Sequence, residues 1–140
     1  MRSVSRKAAF SLVVSVAFSM TVVGVALAAR AGSYVGKTSQ RQSVSFRISN
    51  GAVRGFNITV HDKCPDGHTL SVQATYPTMK ITNGKFGGAF SPVGGHPGEH
   101  ASLNGKLGRS AVTGSLTDTS FSRRERALCH GNTTFSAHHA

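Results

Sequence analysis

The chain has 140 residues, with 16 Lys plus Arg against five Asp plus Glu and a formal net charge of +11 at pH 7. This length allows one small domain and excludes large folds such as a (β/α)8 barrel or a protein kinase. With only five carboxylates in the chain, chemistry that depends on a pair of acids is not expected.

The N-terminal segment, residues 1–28, is predicted to be a secretory signal peptide. Its first seven residues carry three basic side chains and no acid, and a long apolar run follows them. Small residues lead up to Ala28, which predicts cleavage after that residue, with a second option after Ala31. The alternative is an uncleaved N-terminal membrane anchor, because an apolar run of about 20 residues can span a bilayer. The rest of the chain, residues 29–140, is expected to be one secreted domain.

The secreted part has a hydrophobic period of two, which is typical of β-strands and not of helices. In residues 43–49, for example, Val44, Phe46 and Ile48 alternate with polar residues and are expected to face inward. Predicted strands are, in chain order, residues 43–49, 53–62, 70–74, 79–82, 85–90, 101–107, 111–117 and 129–137. About eight short strands predict an all-β fold, an antiparallel sandwich or barrel.

Turn signals separate these strands. Asn50-Gly51 and Asn83-Gly84 predict tight hairpins, because both central positions of such turns favour positive φ. Gly55 is expected to form a β-bulge, since the alternation shifts by one residue there. Residues 65–67 predict a turn, and the Gly- and Pro-rich residues 91–98 predict a loop.

Two further segments are expected to lie outside the sheet. Residues 119–128 read as a basic connector, with up to one helical turn. His138 and His139 are predicted to belong to a disordered tail at the C-terminus.

The two cysteines, Cys64 and Cys129, are predicted to form a disulfide. Both lie in the exported part, where an oxidising setting favours the bond, and strand parity places both on core-facing positions. The competing interpretation is a zinc site in which His68 and His130 join the two thiols. The spacing of these four residues is not an established zinc pattern, so the disulfide is favoured.

The order of several short motifs is distinctive. They are Gly32-x-Tyr34-x-Gly36-Lys37-Thr38, an alternating strand that leads to a Cys, Gly84 to Phe86, a Gly-rich hairpin from Gly105 to Leu116, and Cys129-x-Gly131 before Phe135. This order resembles a group of uncharacterised small secreted proteins of high-GC Gram-positive bacteria. The resemblance implies an exported all-β domain, and it transfers no activity and no functional residue.

The Gly36-Lys37-Thr38 triplet is similar to the end of a phosphate-binding loop. A true loop has a glycine four residues before the Gly-Lys pair, and Ala31 and Gly32 do not meet that spacing. Nucleotide binding is therefore not expected, and Gly36 is interpreted as a turn or bulge residue.

The densest group of metal-ligand residue types is His96, Glu99 and His100, which suit zinc or copper. Pro97 and Gly98 between them prevent a helix that would hold positions 96 and 100 on one face. A solvated loop is therefore favoured, with a metal site as the weaker hypothesis. No cofactor is predicted.

The one dense basic run is Arg123, Arg124 and Arg126, which is the candidate anion-binding site. The favoured function is an exported, monomeric binding domain for an anionic envelope or extracellular component, or for another protein. One alternative is a secreted hydrolase or metal-dependent enzyme that uses His96, Glu99 and His100. A second alternative is a secreted inhibitor or effector that reaches its target with residues 91–98.

Overall fold

The computed structural model describes residues 30–140, and the predicted signal peptide at 1–28 lies outside this range. The described residues form one antiparallel sheet of nine strands. Within them, no helix is long and apolar enough to cross a membrane.

The strands account for most of the described chain. They are β1 (Gly32–Thr38), β2 (Ser43–Ser49), β3 (Ala52–Lys63), β4 (Thr69–Tyr76), β5 (Met79–Lys80), β6 (Lys85–Phe90), β7 (His100–Leu107), β8 (Val112–Ser122) and β9 (Ala127–His139). The predicted all-β class is confirmed, and each of the predicted strands is present.

The strands follow the order β4-β3-β2-β1-β9-β8-β7-β6, and the short β5 pairs with β3. The sheet rolls on itself, because aromatic side chains from β2 and β3 reach Phe86 on β6. The ring centroids of Phe46 and Phe56 lie 6.1 and 6.2 Å from that of Phe86. The result is an open barrel in which β4 and β6 are the two free edges of the described sheet.

The core is centred on Phe56, which is fully buried. Its ring packs against aromatic rings from four other strands, Phe46, Tyr76, Phe86 and Phe135, and Tyr34 stacks on Phe46 behind them. The inward parity predicted for Val44, Phe46 and Ile48 is confirmed, since all three side chains are buried. Aromatic rings in such contact add stability beyond the area they bury.

The turn predictions hold in detail. Asn50 and Gly51 have φ of 49° and 68°, and Asn83 and Gly84 have φ of 51° and 70°, as the mirror-image type I turn requires. Gly55 has φ of 57° and lies where the β2–β3 register shifts, which confirms the bulge.

The interpretation of Gly36 as a turn or bulge residue is wrong. This glycine lies in the middle of β1. A side chain at this position would collide with the backbone of Ser136 and Ala137 on β9, so the glycine permits close approach of two strands.

The C-terminal third contains two more corrections. The bounds predicted for the basic connector, 119–128, are wrong. Only residues 123–126 form a turn, because β8 continues to Ser122 and β9 begins at Ala127. His138 and His139 are not a disordered tail: they pair with β1, and His139 Nε2 lies 3.0 Å from the carbonyl oxygen of Ala31. Backbone pairing with β1 therefore continues β9 as a strand as far as His139.

The Cys64–Cys129 disulfide is present, with a Cα–Cα distance of 4.3 Å. Because both thiols are used in this bond, the alternative zinc set with His68 and His130 does not form. The bond joins the end of β3 to the start of β9, beyond the tip of the β1–β2 hairpin. Gln40 at that tip bridges the same two strands, since its side chain accepts from the His61 amide (2.8 Å) and donates to the carbonyls of His61 (2.9 Å) and Asn132 (3.4 Å).

Candidate functional site

A cleft of about 890 Å³ opens between the two free edges of the sheet, β4 and β6. Its apolar wall includes Val72 and Ala74 of β4, which have the predicted inward parity but remain half-buried because they face this opening. The rings of Tyr76 and Phe90 meet across the gap edge to face, with centroids 5.0 Å apart. The free edges and these side chains therefore leave an accessible apolar space beside the core.

The polar end of the cleft is formed by β8. Asp118 is buried, with 7% of its surface exposed, and lines the cleft together with Ser120. The Ser120 hydroxyl donates a hydrogen bond of 2.6 Å to Asp118 Oδ2. Asp118 and Ser120 continue the inward parity of Leu116, so the strand alternation itself directs two polar groups into an apolar interior.

A second carboxyl, Asp62 of β3, lies directly behind Asp118. Its side chain is fully buried, and neither of its oxygens has a hydrogen-bond donor. Room for this carboxyl exists because position 131 is glycine: a Cβ there would collide with Asp62 Oδ1. Asp62 and Asp118 thus form a buried carboxyl pair at the inner end of the cleft.

Burial and the neighbouring acid change the protonation of this pair. Burial, then the hydrogen bond to Asp118 and the charge of Asp118, together raise the pKa of Asp62 to about 8, while the hydrogen bond to Ser120 acts in the opposite direction. The pKa of Tyr76 is also raised, first by burial and then by the charges of Asp118 and Asp62. At neutral pH, Asp62 therefore holds a proton that it can donate to Asp118, and the Tyr76 phenol is neutral.

The charge of the cleft is opposite to that of the chain. Glu99 and Asp118 line it, whereas no Lys or Arg of the described residues does. Two of the chain's five carboxylates are paired here. The cleft thus offers hydrogen-bond acceptors and negative charge inside a strongly basic protein.

The candidate metal ligands His96, Glu99 and His100 are engaged in other contacts. Glu99 accepts the backbone amides of His96 and Phe121, both at 2.8 Å, and so fastens the 91–98 loop to β8. The His96 ring stacks on Phe121 with centroids 3.6 Å apart, and His100 Nδ1 lies 2.9 Å from the Gly98 carbonyl. Their donor atoms do not converge on one point.

The candidate anion-binding arginines lie in the turn between β8 and β9. Arg123, Arg124 and Arg126 are all exposed. Arg123 and Arg126 line a shallow surface depression together with the stacked pair His96 and Phe121. The structure therefore brings the loop at 91–98 and the arginine turn together, although the sequence analysis treated them as separate features.

Glu125, in the same turn, points away from this depression and contacts His68. The Nδ1 atom of His68 lies 2.8 Å from both Glu125 Oε1 and Asp66 Oδ1. These three residues bring their ligand atoms close enough to hold a metal ion. The direct contacts already satisfy the imidazole, so the group is explained as a histidine bridging two carboxylates.

Sequence reasoning did not find the carboxyl pair. One signal was present: Asp62 occupies an inward position in the same alternation as Phe56, Ile58 and Val60. An acid at a core-facing position is rare unless it has a partner or a proton. Which residue faces it depends on the pairing of β3 with β9, which local periodicity does not reveal.

The fold and the cleft define a small disulfide-linked all-β domain with one buried acidic pair at the end of an apolar opening. Comparison of the chain with family models, with curated proteins and with solved structures finds no match. Its function is therefore inferred from the geometry of the described residues.

Proposed function

We propose that this protein is an exported binding protein whose cleft between β4 and β6 takes a small ligand with an apolar body. The observation that carries the proposal is the cleft itself, about 890 Å³ between two unpaired strand edges. Small-molecule sites have volumes of roughly 300–1,000 Å³, apolar walls and a few polar groups that fix orientation. Asp118, Ser120 and Tyr76 are such groups here.

Export is supported by the disulfide, because such bonds are typical of oxidising, extracellular settings. The signal-like residues 1–28 agree with it. Binding is favoured over hydrolysis because the residues of the hydrolase hypothesis do not converge, and both oxygens of Glu99 accept backbone amides. General acid–base catalysis needs its groups within reach of one substrate atom.

The cleft is tested with a neutral fluorescent probe, N-phenyl-1-naphthylamine, whose emission rises in apolar surroundings. We expect the wild-type protein to bind it and Ala74→Trp, which fills the cleft, to reduce the affinity at least about tenfold. Ser71→Trp is the matched control, because it adds the same ring to the exposed face of the same strand. Equal binding by both variants would refute the cleft as the site.

A second candidate function is the binding of an anionic envelope or extracellular polymer by the arginine turn. The observation that favours it is the flat His96–Phe121 stack beside Arg123 and Arg126. Exposed guanidinium groups around a planar surface suit phosphate or carboxylate groups, and the net positive charge would attract a polyanion over a longer distance.

Neutralising this turn tests the second function, with inorganic polyphosphate as the probe. Arg123→Gln with Arg126→Gln is expected to weaken binding about tenfold at low salt, and the salt dependence should become less steep. Arg47→Gln with Arg54→Gln removes the same charge from an exposed cross-strand pair elsewhere and serves as the control. If both double variants weaken binding equally, only the overall charge matters and the turn is not a site.

A further inference from the structure

We propose that the ligand of the cleft carries a protonated amine, which Asp118 binds at the inner end while the apolar body fills the rest. This inference rests on the proposed binding function and adds the chemical class of the ligand.

The first support is a missing partner. Asp118 lines the cleft and is only 7% exposed, and buried carboxylates are normally paired with a cation or fully hydrogen-bonded. Its carboxylate accepts from the Ser120 hydroxyl, and the fully buried Asp62 lies behind it. Among the described residues, no Lys or Arg lines the cleft to balance these acids. A cation that enters through the cleft would supply the charge that the protein itself does not.

The second support is the aromatic edge of the same opening. Tyr76 and Phe90 both line the cleft, with ring centroids 5.0 Å apart. Aromatic faces attract cations, and desolvation strengthens this attraction. An ammonium group would therefore meet a carboxylate and two rings in one place.

The third support separates an organic cation from a metal ion. Calcium takes six to eight oxygen ligands, and magnesium requires near-ideal octahedral geometry. The carboxyl pair and Ser120 together offer fewer protein oxygens than calcium takes. Most of the other residues that line the cleft are apolar, with Val72, Ala74 and Phe90 as examples. An opening of this size and composition suits a ligand with a hydrocarbon or aromatic body attached to its amine.

The test compares three probes of one shape: 2-phenylethylamine, 2-phenylethanol and 3-phenylpropionate. Binding to the full secreted domain is measured at about pH 7 by calorimetry and by amide chemical shifts. We expect the amine to bind about tenfold more tightly than the alcohol, and the acid to bind more weakly than either. The shifts should be largest along β4 and β8.

Variants of the pair identify the groups responsible. Asp118→Asn is expected to abolish the preference for the amine over the alcohol. Asp62→Asn, which keeps the Asp118 carboxylate, should lose less of the preference for the amine. Asp66→Asn, which removes an exposed carboxylate far from the cleft, is the matched control and should bind like the wild type. Circular dichroism establishes that each variant is folded.

Equal affinity for amine and alcohol, or a preference that survives in Asp118→Asn, would overturn the inference. The proposed function would still stand if the neutral fluorescent probe continued to bind in a manner sensitive to Ala74→Trp. Binding of calcium chloride that depends on Asp118, without binding of the amine, would overturn the inference in favour of a metal site. Failure of the neutral and the amine probes alike would refute both proposals.

Discussion

Removal of the disulfide, as Cys64→Ala with Cys129→Ala, is expected to lower the free energy of unfolding by about 4 kcal/mol. The two cysteines are 65 residues apart in the chain, so the bond closes a long loop in the unfolded state. It also holds β3 against β9 beyond the β1–β2 hairpin, where Lys63 and His130 form the only direct pair between these strands in the described sheet. For a small domain, this loss is a large share of the total stability.

The measurement is urea unfolding followed by circular dichroism, since the chain has no Trp. The wild-type protein in strong reductant should behave like the double variant, and the double variant should not respond to reductant. Each Cys side chain is buried, so alanine leaves a small cavity that adds slightly to the loss. A change below about 1 kcal/mol would contradict the expectation.

The second large effect concerns pH. In the folded protein the pKa of Asp62 is about 8, against 3.8 for a free side chain, because of burial and then Asp118. Between these values the folded state holds one proton more than the unfolded state. Stability should therefore be greatest below about pH 4 and fall as pH rises towards 8, by up to about 1.4 kcal/mol per pH unit.

Asp62→Asn should remove this dependence. Asparagine is neutral at every pH, and its amide can donate to Asp118 as the protonated acid does. We therefore expect the variant to be more stable than the wild type at pH 8, by roughly 3–5 kcal/mol, and to differ little near pH 4. The titratable groups that face Asp62 are Asp118 from β8 and Tyr76 from β4.

Denaturant unfolding at several pH values between about 4 and 9 provides the comparison. Asp66→Asn is the control, because it changes the net charge equally at an exposed position of the turn after β3. The prediction fails if wild type and Asp62→Asn lose stability in parallel as the pH rises.

Much of the fold was accessible from the sequence because its signals are local. The alternation of Val44, Phe46 and Ile48 fixes which face of β2 is buried, and Asn50-Gly51 fixes the turn that follows. The disulfide followed from the even cysteine count and the predicted export. None of these inferences needed to know which strands are neighbours.

The remaining features depend on strand pairing between distant parts of the chain. β1 has two glycines among seven residues and little alternation, so it is recognised as a strand only through its partners β2 and β9. The end of β8 was predicted as a connector because its inward residues, Ser120 and Ser122, are polar. The carboxyl pair was missed for both of these reasons. Asp62 and Asp118 are polar residues at inward positions, and only the rolled sheet brings them together.

The two free edges of the sheet also have a consequence for the behaviour of concentrated solutions. β4 and β6 each present unpaired backbone groups, which are templates for strand pairing between separate copies of a chain. The excess of basic over acidic residues opposes such encounters through mutual repulsion, and Lys85 lies at the start of the β6 edge. Repulsion between exposed charges weakens as ionic strength increases. We therefore expect the excess of basic residues to keep copies apart at low ionic strength, without closing the edges that form the cleft.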